Sequence, residues 1–397
     1  MCAAYRQLFV DLPRMRAMVG FSMLARLSTG AYPVPLVLLI QGTTHSYALA
    51  GAAEAGNLFA AAVTGPARGR AVDRLGSRIV IPRVALARTV ALGVMWPVAH
   101  TRSAPAILGL AIVAGFAAPA LPTAMRRQWQ QLLGREDPRL EWAYAFEVNA
   151  QVMVFVIGPL LAAAGIATIG AGATLAGTGA LLMVGAVAFA ALAVSDQQDQ
   201  SARAAGTSHL LRERGVAALV LVTVVADVSL GVVDIAVTAF AKGRDDPSAA
   251  GLLLGVAATS ALITGTVFGA RSWSTPPASQ LRWLLGTSAL LTVPLALAGS
   301  IPAMAGLLIL ASAPLAIQPI IVYRLLDGLA PRERAGESLA WISTANSAGV
   351  GIGYLAAGTV IQASGTTAAF LTGAALLAAA ATVAFTQRHA LTPNPSG

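Results

Sequence analysis

Residues 69–83 read GRAVDRLGSRIVIPR, with Arg70, Arg74, Arg78, Arg83 and a single acid, Asp73, set between two long apolar runs. Neither flank tolerates charge, so so short a charged stretch reads as a tight loop at a membrane surface. Gly69 is expected to let two helix ends approach, and Gly76 to supply the positive φ of a sharp turn. Asp73 suits the free N–H groups and positive dipole end of another helix. Arg74 and Arg78 are expected in the headgroup layer, facing acidic lipid or a carboxylate.

The rest of the composition agrees with a membrane setting. Of 397 residues, 56% are hydrophobic and 11% charged, against about 25% charged in a soluble domain. Mean hydropathy is +0.72. A net charge of +9 would suggest nucleic acid in a soluble chain, but here the arginines lie between apolar runs, and no nucleic-acid partner is expected. The one cysteine, Cys2, permits no internal disulfide. One lysine against 25 arginines, with abundant Ala and Gly, suggests a GC-rich bacterial genome.

A helix needs roughly 20 apolar residues to cross a bilayer. Twelve such runs can be placed, at about 17–40, 47–67, 79–99, 105–125, 142–165, 171–194, 216–240, 249–270, 281–299, 301–322, 338–361 and 367–386. The polar segment 195–215 divides them into halves, giving an N-terminal bundle (1–194), a linker (195–215) and a C-terminal bundle (216–397). With the N-terminus inside, cytoplasmic segments hold 21 Lys and Arg and outer loops three, a strong positive-inside bias. Both termini are then cytoplasmic. The halves also echo each other. Thr64-Gly65 with Gly69 recurs as Thr264-Gly265 with Gly269, and Gly158-Pro159-Leu160 as Gly353-Tyr354-Leu355.

The pattern Gly69-x-x-x-Asp73-Arg74-x-Gly76-x-Arg78 resembles the loop between helices 2 and 3 of the major facilitator superfamily. That resemblance implies an all-α integral membrane fold of twelve transmembrane helices, in two pseudo-symmetric six-helix bundles around a central cavity, with a midplane site. It also implies that Asp73 latches onto a helix start near 336–340. The second-half loop, GARSWSTPPASQLR, lacks the acid and the turn glycines. Helix 4 lacks the internal arginine usual in the drug/proton antiporter branch, and helix 5 keeps only its Gly158-Pro159.

Ionisable side chains inside spans cost about 2.5–3.5 kcal/mol each even on the lenient insertion scale, so each is a site candidate. Arg26, Glu54, Arg88, Asp227 and Asp234 lie within apolar runs, and Glu147, Asn149 and Gln151 open helix 5. Asp227 and Asp234 are seven apart and share a helix face. Snorkelling or a buried helix–helix pair is an equal reading of Arg88 and Glu147, and solvation near the outer surface is the simpler reading of Asp234. Arg26 is expected to meet Asp227 across the halves, with Glu54 as the competing partner. The tryptophans are expected mostly at membrane interfaces. No His or Cys pair has metal spacing, and no cofactor is expected.

The reading that follows is a secondary transporter, a monomer in the bacterial cytoplasmic membrane. It would export small amphiphilic or antibiotic-like molecules against protons. The alternatives are a proton-linked nutrient importer and, from another class, a membrane-embedded transferase. The last would rest on the loop acids Asp11, Glu136 and Asp137, none of which has a histidine in its loop.

Overall fold

In a computed structural model of the chain the described residues are 13–134, 137, 139–194, 213–271, 273–329 and 335–391. They form helices and no strands. The first group is α1 (Pro13–Ala31), α2 (Pro33–Thr44), α3 (Tyr47–Leu75), α4 (Ser77–His100), α5 (Ala104–Phe116), α6 (Leu121–Leu133) and α7 (Arg139–Leu192). The second is α8 (Arg214–Lys242), α9 (Ala249–Gly269), α10 (Pro277–Thr292) with a 3₁₀ turn over Val293–Leu297, α11 (Ile301–Leu315), α12 (Gln318–Leu329) and α13 (Ala335–Thr386).

Eight segments of these are long and apolar enough to cross a membrane, and the chain is a multi-pass membrane protein. Two of them, Trp142–Leu192 and Trp341–Thr386, run to 51 and 46 residues, far beyond the roughly 20 a single crossing needs. Each is broken by one glycine in the left-handed region, Gly170 at φ 79° and Gly365 at φ 82°. Without a Cβ, glycine takes this conformation freely.

The charged stretch 69–83, expected as a tight loop, is mostly helical. α3 continues to Leu75 and α4 begins at Ser77, so the turn is Gly76 alone, at φ 81°. Its N–H closes α3 on the Val72 carbonyl at 2.9 Å, and its own carbonyl accepts from the Ile79 and Val80 amides at 3.2 Å. At 29 residues, α3 is about 44 Å long, so its basic end can stand clear of a hydrocarbon core of about 30 Å. The expected role of Gly69 is corrected: a Cβ there would meet nothing within 4 Å.

Prolines break two further helices. Pro33 separates α1 from α2 at Tyr32, with the Tyr32 and Leu36 amides still bonded four residues back at 3.0 and 3.1 Å. Pro119 and Pro122 lie in and just after the gap between α5 and α6, since proline has no N–H to continue a ladder.

The chain forms two compact units, 1–44 with 59–202 and 45–58 with 203–397. The core of the first gathers Met15, Met18, Ile81, Met125, Trp129 and Phe189. That of the second gathers Leu219, Leu285, Ile321, Leu325 and Leu377. In the second unit the first turns of α3 lie backbone to backbone on α13: a Cβ on Gly358 would come 3.0 Å from the Ala48 Cα. The Tyr47 amide donates to Gln362 Oε1 at 3.1 Å.

Candidate functional site

In the first unit α1 and α7 cross at two glycines. A Cβ on Gly158 would sit 2.6 Å from the Gly30 Cα and 2.8 Å from the Ala31 nitrogen, so neither position admits a side chain. Arg26 is one turn before Gly30 and Glu147 three turns before Gly158, which puts both on the faces that meet. They form a buried ion pair, Arg26 Nη2 with Glu147 Oε2. The Trp129 indole of α6 donates to Glu147 Oε1 at 3.2 Å, and Arg26, Glu147 and Trp129 are 3%, 5% and 0% exposed. Arg26 therefore takes its acid from within its own unit, and the expected pairing with Asp227 or Glu54 gives way to Glu147. The interfacial anchoring expected for the tryptophans does not hold for Trp129, which is core.

The second unit repeats this plan with other chemistry. A Cβ on Gly353 would lie 2.9 Å from the Gly231 Cα, and one on Gly349 2.8 Å from the Asp227 Cβ. Asp227, one turn before Gly231 as Arg26 is before Gly30, is buried and accepts from Asn346 Nδ2 at 3.0 Å. The Tyr354 hydroxyl stands 3.5 Å from Asp234 Oδ2, at the outer limit of a hydrogen bond. Asp227 and Asp234 thus both face α13, as their seven-residue spacing requires. At matching positions one unit holds a cation with an anion, the other an anion with a neutral amide.

Arg88 and Arg68 converge on the end of α5. Arg88 Nη1 donates to the Ala114 carbonyl at 2.6 Å, and its guanidinium stacks 4.7 Å from the centre of the Tyr32 ring at the α1–α2 break. Arg68 Nη1 donates to the Gly115 and Phe116 carbonyls at 2.9 and 3.1 Å, and Nη2 to Ala61 at 2.7 Å. The last carbonyls of a helix lack partners within it and carry its negative dipole end, so two cations satisfy both needs. Arg88 is therefore a buried helix-end ligand rather than a snorkelling side chain. Arg68 looked like a loop residue in the sequence and is half-buried here.

Of the charged turn, Arg74 is exposed, and Arg78 reaches the Ala191 carbonyl at 3.4 Å. Arg14 and Gln128 join it at the same end of α7, donating to Leu192 and Val194 at 2.9 and 3.4 Å. Of the two partners expected for Arg78, acidic lipid or a carboxylate, no carboxylate is bonded to it among the described residues, and its one bond there is to the Ala191 carbonyl. The side chains of Asp73 and of 335–340 lie outside the described residues, as do the linker 195–212 and the acids Asp11 and Glu136. Glu54 is buried, Asn149 exposed and Gln151 half-buried. Asp137 is bound by the Arg139 guanidinium at 2.8 Å, which with the Arg139 amide holds its carboxyl below the usual range. Among the described residues no group of His, Cys, Asp and Glu could hold a metal ion.

No family model matches the chain, and no curated protein matches it in sequence. Solved structures do match. A mutant of the nucleoside transporter NupG superposes with a TM-score of 0.80 at 13% identity, covering 94% of this chain and 99% of its own. A bacterial homologue of the iron transporter ferroportin, in its inward-facing state, gives 0.72 at 16%, covering 94% and 98%. An auto-inhibited peptide transporter of the POT family gives 0.71 at 10%, covering 97% and 99%. At these identities the likeness is one of architecture: the chain shares the fold of these solved transporters.

Proposed function

We propose that the chain is a secondary transporter that works by alternating access, coupling proton movement to export of small amphiphilic or antibiotic-like molecules from the bacterial cytoplasm. The matched structures named above are transporters, which supports a carrier rather than an enzyme. Asp137 is the one described acid among the three that a transferase could use, and it is engaged by Arg139. Twelve crossings follow if Trp142–Leu192 and Trp341–Thr386 each cross twice and α3 and α10 cross as well. Both termini and the segment 195–215 are then cytoplasmic. Cysteines placed at positions 201 and 46 are expected to label from opposite sides of the membrane. Labelling of both from one side overturns this topology.

The coupling reading is carried by Asp227. Its partner among the described residues is a neutral amide, so it can take up a proton without stranding a cation. Glu147 cannot, because protonation would leave Arg26 charged and buried. In this reading Arg26 and Glu147 brace the first unit and Arg88 holds the end of α5. Asp227 carries the proton, with Glu54 and Asp234 as the alternative acids, and Asn149 and Gln151 offer polar contacts to substrate. Asp227→Asn is expected to abolish pH-driven flux into inverted vesicles while exchange without a gradient persists. Glu54→Gln and Asp234→Asn, run in parallel, identify the acid if it is another. Wild-type pH dependence in all three variants overturns proton coupling through these groups, and the direction of driven accumulation separates export from nutrient import.

A further inference from the structure

A cavity of about 180 Å³ lies in the second unit, lined by none of the residues assigned above. A single water needs about 10–15 Å³ on such a measure, so the space admits a larger group. Its walls come from three places: the end of α8 at Phe240 with the turn after it at Gly243 and Arg244, the 3₁₀ turn and the residue after it at Leu295 and Ala298, and the restart of α13 at Thr366 and Thr367. Arg244 is held in place rather than loose. Its guanidinium lies 5.2 Å from the centre of the Phe240 ring, and Nη2 donates to the Ala298 carbonyl at 3.3 Å. One of its five N–H groups is used in that bond, which leaves the fork to a ligand. No hydrogen bond from the Thr366 or Thr367 hydroxyl to the described residues is present, whereas Thr372 and Thr382 farther along α13 donate to carbonyls at 2.8 Å. Two acids follow Arg244 in the loop. Asp246 is occupied by the Ser248 hydroxyl and the Ala249 amide at the start of α9, and Asp245 is exposed. Neither lines the cavity.

We propose that this cavity is an oxyanion site, separate from the transport site, that takes a phosphate group between the Arg244 guanidinium and the Thr366 and Thr367 hydroxyls. A planar fork of donors and two hydroxyl-bearing residues lining one cavity suit the tetrahedral oxygens of a phosphate, and Arg–phosphate bonds are charge-assisted and directional. With the termini inside, α8 ends at the outer surface, where the same phosphate chemistry comes from the headgroup of an anionic lipid or from a dissolved phosphate.

Thermal unfolding of the purified full chain tests the site without any transport measurement, so its failure is distinct from failure of the transport reading. In maltoside detergent, inorganic phosphate is expected to raise the unfolding temperature above that in chloride at equal ionic strength, because a ligand of the folded state stabilises by mass action. In nanodiscs, phosphatidylglycerol is compared with phosphatidylcholine. A shift with inorganic phosphate assigns a dissolved ligand, and a shift with phosphatidylglycerol alone assigns the lipid. Arg244→Gln is expected to lose whichever shift is found. The double variant Thr366→Val/Thr367→Val keeps Arg244 and its tether, and is expected to unfold as the wild type does in chloride while losing most of the shift. No shift in either medium, or a shift of wild-type size in both variants, overturns the proposal.

Discussion

Arg26→Ala is expected to be the most destabilising polar substitution in the first unit. It leaves the Glu147 carboxyl 5% exposed and held only by the Trp129 indole. Removing one partner of a buried pair costs about 3–5 kcal/mol, because the other charge stays desolvated. Removing the charge from both is far milder, since each charge also loses the desolvation cost it carried. Arg26→Met/Glu147→Gln keeps an acceptor for Trp129, and is expected to unfold well above Arg26→Ala. Circular dichroism melts of the three proteins in detergent give the comparison. A single variant as stable as wild type would remove the pair from the account of this unit's stability.

The second large effect is expected at the α1–α7 crossing. Gly158→Ala would place a Cβ 2.6 Å from the Gly30 Cα and 2.8 Å from the Ala31 nitrogen, and these are backbone atoms that cannot rotate away. Overpacking of this kind costs about 1–3 kcal/mol or more, and shifting α1 also pulls Arg26 from Glu147. Folded yield and flux are both expected to fall severalfold. Gly177→Ala in the same helix is the control, because a Cβ there meets nothing within 4 Å. A helical glycine replaced by alanine gains about 0.5–1 kcal/mol, so this variant is expected to be neutral or more stable. Equal behaviour of the two variants would show that the crossing is looser than the structure has it.

The apolar runs were legible in the sequence because lipid leaves the backbone few options, and the helix limits fall within a few residues of them at Ser77–His100, Arg214–Lys242 and Ala249–Gly269. The positive φ of Gly76 was also legible, since a turn between two adjacent helices requires it. The partner of Arg26 was not. Glu147 lies 121 residues away, and charge and depth pointed to Asp227, with Glu54 as the competitor. What decides among them is the glycine seam, and that seam did leave a trace in the sequence. Arg26 and Asp227 each precede a glycine by four residues, Gly30 and Gly231, which only the packing marks as contact points. Arg68 was passed over because its helix was taken to end near residue 67, whereas α3 carries it to the end of α5. Trp129 was misassigned for a similar reason: its run of polar neighbours looks interfacial, but its own face of α6 turns inward.

Trp129 has an optical consequence. Of the six tryptophans it is the one with no exposed surface, while Trp96, Trp142 and Trp273 are about two-fifths exposed and Trp283 three-quarters. Its indole is fully buried and bonded to a carboxylate, so its emission is expected to be shielded from aqueous quenchers and to respond to the charge on that carboxylate. Changing Trp129 to phenylalanine isolates that component by difference. Any rearrangement that alters the charge next to Glu147 Oε1 then registers as a shift in emission colour, with no label attached to the protein.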